Sequence, residues 1–210
     1  MIIAVDGTAA SGKGTLAKHL AERLDLAHLD TGSLYRAVGL GLLQKGYTSA
    51  EVTAGIAAAV AADLDTALMT DPGLRSAETG QMASVVAAYP EVRAQLLDYQ
   101  RQFARNHPAG KAGAILDGRD IGTVVLPDAD AKFFVDADMD IRARRRHHEL
   151  AAGGSKLSPE DVRRQLEERD HRDRTRSHAP LIPAENAIFV DTSEKNIEEM
   201  VAFALSALAG

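Results

Sequence analysis

Residues 2–24, IIAVDGTAASGKGTLAKHLAERL, constrain this chain more than any other stretch. Ile2-Ile3-Ala4-Val5 is a short apolar run that fits one buried strand of a parallel sheet. The chain then passes through Gly7-Thr8-Ala9-Ala10-Ser11-Gly12-Lys13-Gly14-Thr15. Apolar residues return at Leu16, Leu20 and Leu24, along one side of a helix. A glycine-containing loop between strand and helix turns backbone N–H groups and the positive end of the helix dipole toward an anion. Gly7 and Gly12 suit backbone angles and close approaches that a side chain hinders. Lys13 adds a mobile charge for the outer phosphates of a nucleotide. The usual phosphate-loop pattern sets Ser or Thr directly after the lysine to bind magnesium. Here Gly14 intervenes and the hydroxyl is on Thr15, so no direct protein ligand to magnesium is assigned.

The rest of the chain alternates short apolar runs with amphipathic stretches. Strands are expected at 26–29, 114–117, 131–135 and 187–190, and a weaker one at 64–69. Helices are expected over 32–44, 52–62, 76–88, 91–106, 138–150 and 158–176, with one more at the C-terminus. Thr31, Ser158 and Ser193 are expected as helix caps, and Thr48-x-x-Glu51 as a capping box. Nearly all-apolar strands alternating with helices mean a parallel α/β sheet, with five strands in its core. A length of 210 residues and 45% hydrophobic content support one sizeable core, hence a single domain over 1–210. Net charge −6 disfavours a general nucleic-acid binder, and the absence of cysteine excludes disulfides and thiolate metal sites. No basic leader and no apolar run near ~20 residues is present. The expectation is a cytoplasmic protein with no membrane partner.

In an open α/β sheet, ligands sit beyond the carboxyl ends of the strands, and three constellations fall there. Asp30-Thr31-Gly32-Ser33-Leu34-Tyr35-Arg36 offers a carboxylate, hydroxyls and a guanidinium, though helix capping alone also explains Asp30 and Thr31. Asp117-Gly118-Arg119-Asp120 offers an arginine fork for a phosphate and a carboxylate to accept from an amino group. The third is a charge anomaly. Of 24 Lys and Arg residues, eleven lie between Arg142 and Arg176, and ten of these are Arg. Some pair with Glu149, Glu160, Glu167 and Glu168 along their helices. The remainder suit a mobile basic lid over a triphosphate. Helical spacing puts Arg169, Asp173 and Arg176 on one face, as donor, acceptor and donor. His147, His148 and His171 lack metal-ligand spacing, so no metal site is read in them.

Taken in order, GKGT, DTGSLYR, ASVVAAYPEVR, LDGRDIGTVVLPDA, RARRR and ERDHRDRTRSHAPL resemble the bacterial cytidylate kinases over nearly the whole chain. The resemblance implies the P-loop kinase fold, with parallel strand order 2-3-1-4-5. It implies transfer of the γ-phosphoryl group of ATP to CMP or dCMP with Mg2+ bound alongside ATP, and a monomer. It also implies a core of 1–30, 107–141 and 177–210, an acceptor-binding region 31–106, and a lid and following helix 142–176. Carried over residue by residue, Gly7, Thr8, Ala9, Ala10, Ser11, Gly12, Lys13, Gly14 and Thr15 hold the ATP phosphates, with Arg142, Arg145 and Arg146 above them. Arg36 and Arg119 grip the acceptor's phosphate and, with Lys13, serve catalysis. Ser84, Arg93 and Asp120 read the cytosine edge. Thr31, Arg169 and Asp173 contact the sugar, and Arg176 lies on the acceptor side.

Two departures from the family pattern stand out. Thr31 replaces the usual serine, and residues 63–80 are shorter than in the longer bacterial members, which implies a reduced or absent small sheet there. Two alternatives stay open: a kinase for another nucleoside monophosphate, and an ATP-binding switch without transfer.

Overall fold

The computed structural model describes residues 1–209. Five parallel strands form one sheet: β1 (Ile2–Gly7), β2 (Ala27–Asp30), β3 (Ala114–Gly118), β4 (Ala131–Asp136) and β5 (Ile188–Asp191). Their order across the sheet is 2-3-1-4-5, as expected. β1 sits at the centre, and its period-2 pattern explains burial on both faces. Ile3 and Val5 join Leu16, Leu20, Phe133, Val190 and Val201 on one face. Ala4 joins Leu34, Val38, Met82, Leu96 and Leu116 on the other. Each fully buried side chain of this size contributes about 1.5–3 kcal/mol.

Helices α1 (Lys13–Leu24) and α8 (Ile197–Ala209) cover the first face. On the second lie α2 (Thr31–Gln44), α3 (Ala54–Ala62), α4 (Ala77–Val86) and α5 (Pro90–Arg105). Beyond β4, α6 (Met139–Ala152) and α7 (Pro159–Thr175) pair through Ala143, Leu150, Val162 and Leu166, a small core that also takes in Ala9. Registers align Asp30 with Asp117, and Asp6 with Gly118, so the ends of β2, β3 and β1 lie side by side.

Local expectations are corrected in four places. Asp30, rather than Thr31, caps α2, its carboxylate accepting from Ser33 N. Thr31 instead donates its hydroxyl hydrogen to Asp117 O at 2.8 Å. The Thr48–Glu51 bonds form but close a turn, while α3 starts later under a Thr53 cap. Residues 64–69 do not make a strand. Asp65 and Asp71 each capture a backbone N–H two residues ahead, and two 3₁₀ turns, Thr66–Thr70 and Pro72–Arg75, result. Ser193 is drawn to Asp191 and to Asp138 N, and a reciprocal Asn196–Glu199 box opens α8. Among the described residues, 63–80 carry no strand, as the shortened region implied.

Candidate active site

The loop between β1 and α1 needs two of its glycines. A Cβ at Gly7 would lie 2.0 Å from Val135 O of the neighbouring strand. Gly12 caps α1 at φ 90° without a side-chain bond, leaving the first-turn N–H groups to the cavity. Side chains from elsewhere brace the loop. Thr8 Oγ1 donates to Asp136 Oδ1 at 2.6 Å, Arg142 Nη1 to Ala9 O at 3.3 Å, and Thr192 Oγ1 to Ser11 O at 2.6 Å. Ser11 Oγ closes the loop on Thr8 O at 3.0 Å. Lys13 Nζ donates to Thr8 O at 3.3 Å. Burial, and then the nearby Arg119 guanidinium, lower the Lys13 pKa to about 7, against the opposing pull of Asp117.

A cavity of about 970 Å³ opens above this loop. Lys13, Gly14 and Thr15 of the loop line it together with Arg36, Arg119 and Arg169, and with Arg145 and Arg146 of α6. Arg36 donates to Leu74 O at 3.0 Å and lies beside Gly80, where a Cβ would crowd the guanidinium at 3.2 Å. Burial, and then Arg146, bring the Arg36 pKa down to about 10. Arg119 Nε donates to Asp173 Oδ2 at 2.9 Å. Burial alone would raise the Asp173 carboxyl, but Arg119, Arg169 and Arg176 hold it below the usual carboxylate range. Arg169 is lowered to about 9 by burial and by Arg119. So many cations around so few carboxylates make a site for a polyanion.

Asp30 and Asp117 also line this cavity. Asp117 is buried and meets His28 Nε2 at 2.8 Å through Oδ2. Its Oδ1 faces Gly14, 3.7 Å from where a Cβ would sit. With the Thr15 hydroxyl, Asp30 and Asp117 put oxygen donors on the cavity wall, which suits a divalent ion held mainly by phosphates and water, since no His, Asp or Glu cluster among the described residues could hold a metal by itself.

Beside the large cavity lies a tight one of about 40 Å³, little more than the room of one water. Thr31, Tyr35, Ser84, Arg93, Arg119, Asp120, Arg169, Asp173 and Arg176 line it, so the fold gathers the whole sequence-predicted acceptor set except Arg36 around one pocket. Arg93 donates to Asp120 and lies over the Tyr35 ring at 5.5 Å. Burial opposes the Arg93 charge, but Tyr35 and Asp120 outweigh it and raise the pKa. Burial and Arg93 lower that of Arg176. Arg169 Nε and Arg176 Nη2 have no hydrogen-bond partner among the described residues, two buried donors at the edge of the pocket.

Arg142 is not at the lid surface. It is 4% exposed and turned inward, with Nη1 2.7 Å from Asp170 Oδ2 and Nε donating to Ala137 O. Sequence reasoning gave no site role to four participants: Thr192, Asp136, Tyr35 and Arg172, whose Nη1 donates to Ser84 Oγ at 2.6 Å. Thr192 had one available signal, its place just past the carboxyl end of the last strand. It holds Arg145 through Oγ1 at 3.0 Å and through its carbonyl at 2.7 Å. A further cavity of about 550 Å³ runs from Gly12, Thr15 and Arg145 to Thr192, Asn196, Ile197 and Met200.

The cytidylate kinase family model matches residues 3–209. A cytidylate kinase of Rhodospirillum rubrum is 51% identical over 209 residues, spanning 100% of this chain and 97% of its own. One from Rhodopseudomonas palustris strain BisA53 is 52% identical over 199 residues, spanning 94% and 91%. Among solved structures, an uncharacterized protein from Eubacterium ventriosum matches with a TM-score of 0.59 at 12% identity, spanning 100% and 99%, a likeness of fold. No helix among the described residues is long and apolar enough to cross a membrane. With its central glycine loop, its 2-3-1-4-5 sheet and a near-complete match at half identity, this chain belongs to the cytidylate kinase family.

Proposed function

We propose that this chain transfers the γ-phosphoryl group of ATP to the phosphate of CMP or dCMP, releasing ADP and CDP or dCDP. The observation that carries the reading is the shared cavity: the Lys13 loop and the Arg36–Arg119–Arg169 cluster line one space of about 970 Å³. A switch needs one phosphate site, whereas a phosphate-to-phosphate transfer needs two that face each other.

The residues then divide the work as follows. The loop N–H groups and Lys13 hold the β- and γ-phosphates. Arriving phosphates restore the charge that burial weakens on Lys13. The Arg145–Thr192 pair stands at the entrance to the second cavity, which takes the adenosine. Arg36 and Arg119 align an oxygen of the acceptor phosphate in line with the γ-phosphorus. That oxygen attacks, the bond from the γ-phosphorus to the bridging oxygen breaks, and ADP leaves with the electron pair. No general base is required, since a phosphate monoester with a second pKa of ~6 is already an anion at neutral pH. Mg2+ entering with the phosphates would lie toward Asp30, Asp117 and Thr15 and would supply charge neutralisation there. Arg145 and Arg146 complete the cationic enclosure, while Arg142 braces the loop from behind through Ala9 O.

The tight pocket has to widen and the Arg93–Asp120 bond has to give way for a base to enter; Asp120 then accepts from the cytosine amino group, and Arg93 and Ser84 serve the ring acceptors. Arg172 can only donate, so its bond to Ser84 turns the serine hydrogen away from α7. Uracil would set a carbonyl against the Asp120 carboxylate, leaving both unpaired. Thr31 and Asp173, with Arg169, face the sugar. The lid of 142–176 and the acceptor region of 31–106 are the parts that close.

The shared cavity is tested with an adenosine–cytidine dinucleotide joined by five phosphates. It should inhibit competitively against both ATP and CMP, and bind far more tightly than either. Competition with ATP alone would contradict the two-site cavity.

A further inference from the structure

Asp6 lies on β1, two residues before the loop hydroxyl of Thr8, and no step above uses it. Its carboxylate is 3% exposed. It accepts from Ile121 N at Oδ1 and from Gly122 N at Oδ2, both at 2.7 Å. These N–H groups open a π-helical turn, Ile121–Val125, that follows Asp120 directly. Asp120 O accepts from Val124 N at 2.9 Å and Val125 N at 3.1 Å, so the turn folds back on the same residue. Its far end is held from α5. Arg101 donates Nε to Val125 O and Nη2 to Val124 O, both at 3.0 Å. A five-residue turn is therefore fixed at both ends by charged side chains, and the residue at its entrance is Asp120.

The chemistry at Asp6 is demanding. Its carboxylate is met by two backbone N–H groups rather than by an arginine or lysine, and burial pushes its pKa up to about 6, with Asp120 adding to the rise. The two N–H groups and Arg119 oppose that rise. A neutral amide offers one acceptor oxygen and sets an N–H₂ against the second backbone N–H. Two acceptors at fixed spacing are what the ionised carboxylate supplies. Gly122 allows the close fit, since a Cβ there would already sit 3.4 Å from Asp6 Oδ2 and 3.2 Å from the Lys132 side chain.

We propose that Asp6 and Arg101 are positioning residues for choice of the acceptor base: they clamp the Ile121–Val125 turn and so fix the Asp120 carboxylate at the height of the cytosine amino group. The proposal rests on the reading of Asp120 as the base-reading acceptor. It links the strand that feeds the ATP loop to selection at the acceptor pocket.

The test compares kcat/KM for CMP and UMP in Asp6→Asn, Arg101→Met and Asp120→Asn, with KM for ATP and thermal unfolding beside them. Taking the ratio of two acceptors with the same phosphate cancels the grip of Arg36 and Arg119. Asp6→Asn should lower the CMP-over-UMP ratio about tenfold, the equivalent of one misplaced hydrogen bond at about 1.4 kcal/mol, through KM for CMP. KM for ATP should stay within about twofold, a window under half of that energy. Arg101→Met should shift the ratio in the same direction by about threefold, since its bonds are partly exposed. If Asp6→Asn weakens both acceptors equally, or raises KM for ATP with them, Asp6 frames the phosphate loop and the proposal is wrong. If Asp6→Asn does not fold, Arg101→Met decides, and an unchanged ratio overturns the clamp. An unchanged ratio in Asp120→Asn removes the base reading itself, and the clamp with it. A changed ratio there with none in Asp6→Asn or Arg101→Met removes the clamp alone.

Discussion

Arg119 and Asp173 meet at the wall of the tight pocket, Nε to Oδ2 at 2.9 Å, and join the end of β3 to the final turn of α7. Arg169 and Arg176 approach the same carboxylate at 3.9 and 4.0 Å. Asp173→Asn leaves three guanidiniums around an uncharged amide. Breaking a buried pair in this way costs about 3–5 kcal/mol, which lowers the unfolding temperature by roughly ten degrees at this size. The KM for CMP should rise at least tenfold while that for ATP changes little. Because the Asp173 pKa is depressed, its stabilising charge is complete above the unfolded carboxylate pKa and is lost as pH falls through the folded one. The variant should lack this acid-limb dependence in thermal unfolding from pH 6 down to about 3.

Lys13 is the opposite case. Its charge is opposed by burial and by Arg119, and its pKa is about 7. Phosphate binding requires the protonated form, so KM for Mg-ATP should rise as pH increases from about 7 to 9. Lys13→Arg should flatten that rise, because guanidinium does not titrate there. Lys13→Met should lose about two orders of magnitude or more in turnover and unfold at a higher temperature, since it removes a charge the folded state disfavours. Near-normal turnover in a steady-state assay would sink the role given to Lys13.

Thr192 joins β5 to the phosphate loop by donating to Ser11 O while receiving Arg145. Thr192→Val keeps the shape and removes both bonds. KM for ATP should increase about tenfold with KM for CMP unchanged, measured by varying each substrate at saturation of the other. An equal effect on both would mean that Thr192 supports the fold rather than the ATP side.

Gly7 tests the loop's geometry. A Cβ 2.0 Å from Val135 O cannot be absorbed by a flexible side chain, because the obstacle is the backbone of β4. Gly7→Ala should cost about 3 kcal/mol or more and be visible as a loss of soluble, cooperatively unfolding protein.

The sheet was legible because each strand is a short apolar run bounded by turn residues, and β1's alternation alone accounts for burial on its two faces. What local chemistry could not settle was competition between equals. Asp30 and Thr31 are both good caps, and the choice fell to Asp30 because Asp117 O on the adjacent strand captures the Thr31 hydroxyl. The run at 64–69 looked like a strand until Asp65 and Asp71 took its N–H groups. In the RARRR segment, the sequence shows five positions with four arginines and no direction. The helix turns Arg142 in toward Asp170 and Ala9 O, while Arg145 and Arg146 line the cavity. Thr192 lies outside every motif and Arg172 is one arginine among ten in its segment, so the partner each one holds is revealed only by tertiary contact.

The most direct test is ADP release from Mg-ATP with CMP, dCMP, UMP, AMP, GMP or no acceptor. Fast turnover with CMP and dCMP, little with UMP and the purines, and almost none without acceptor is the predicted result. Tight ATP binding with no acceptor-dependent turnover, or equal turnover with UMP, would contradict it.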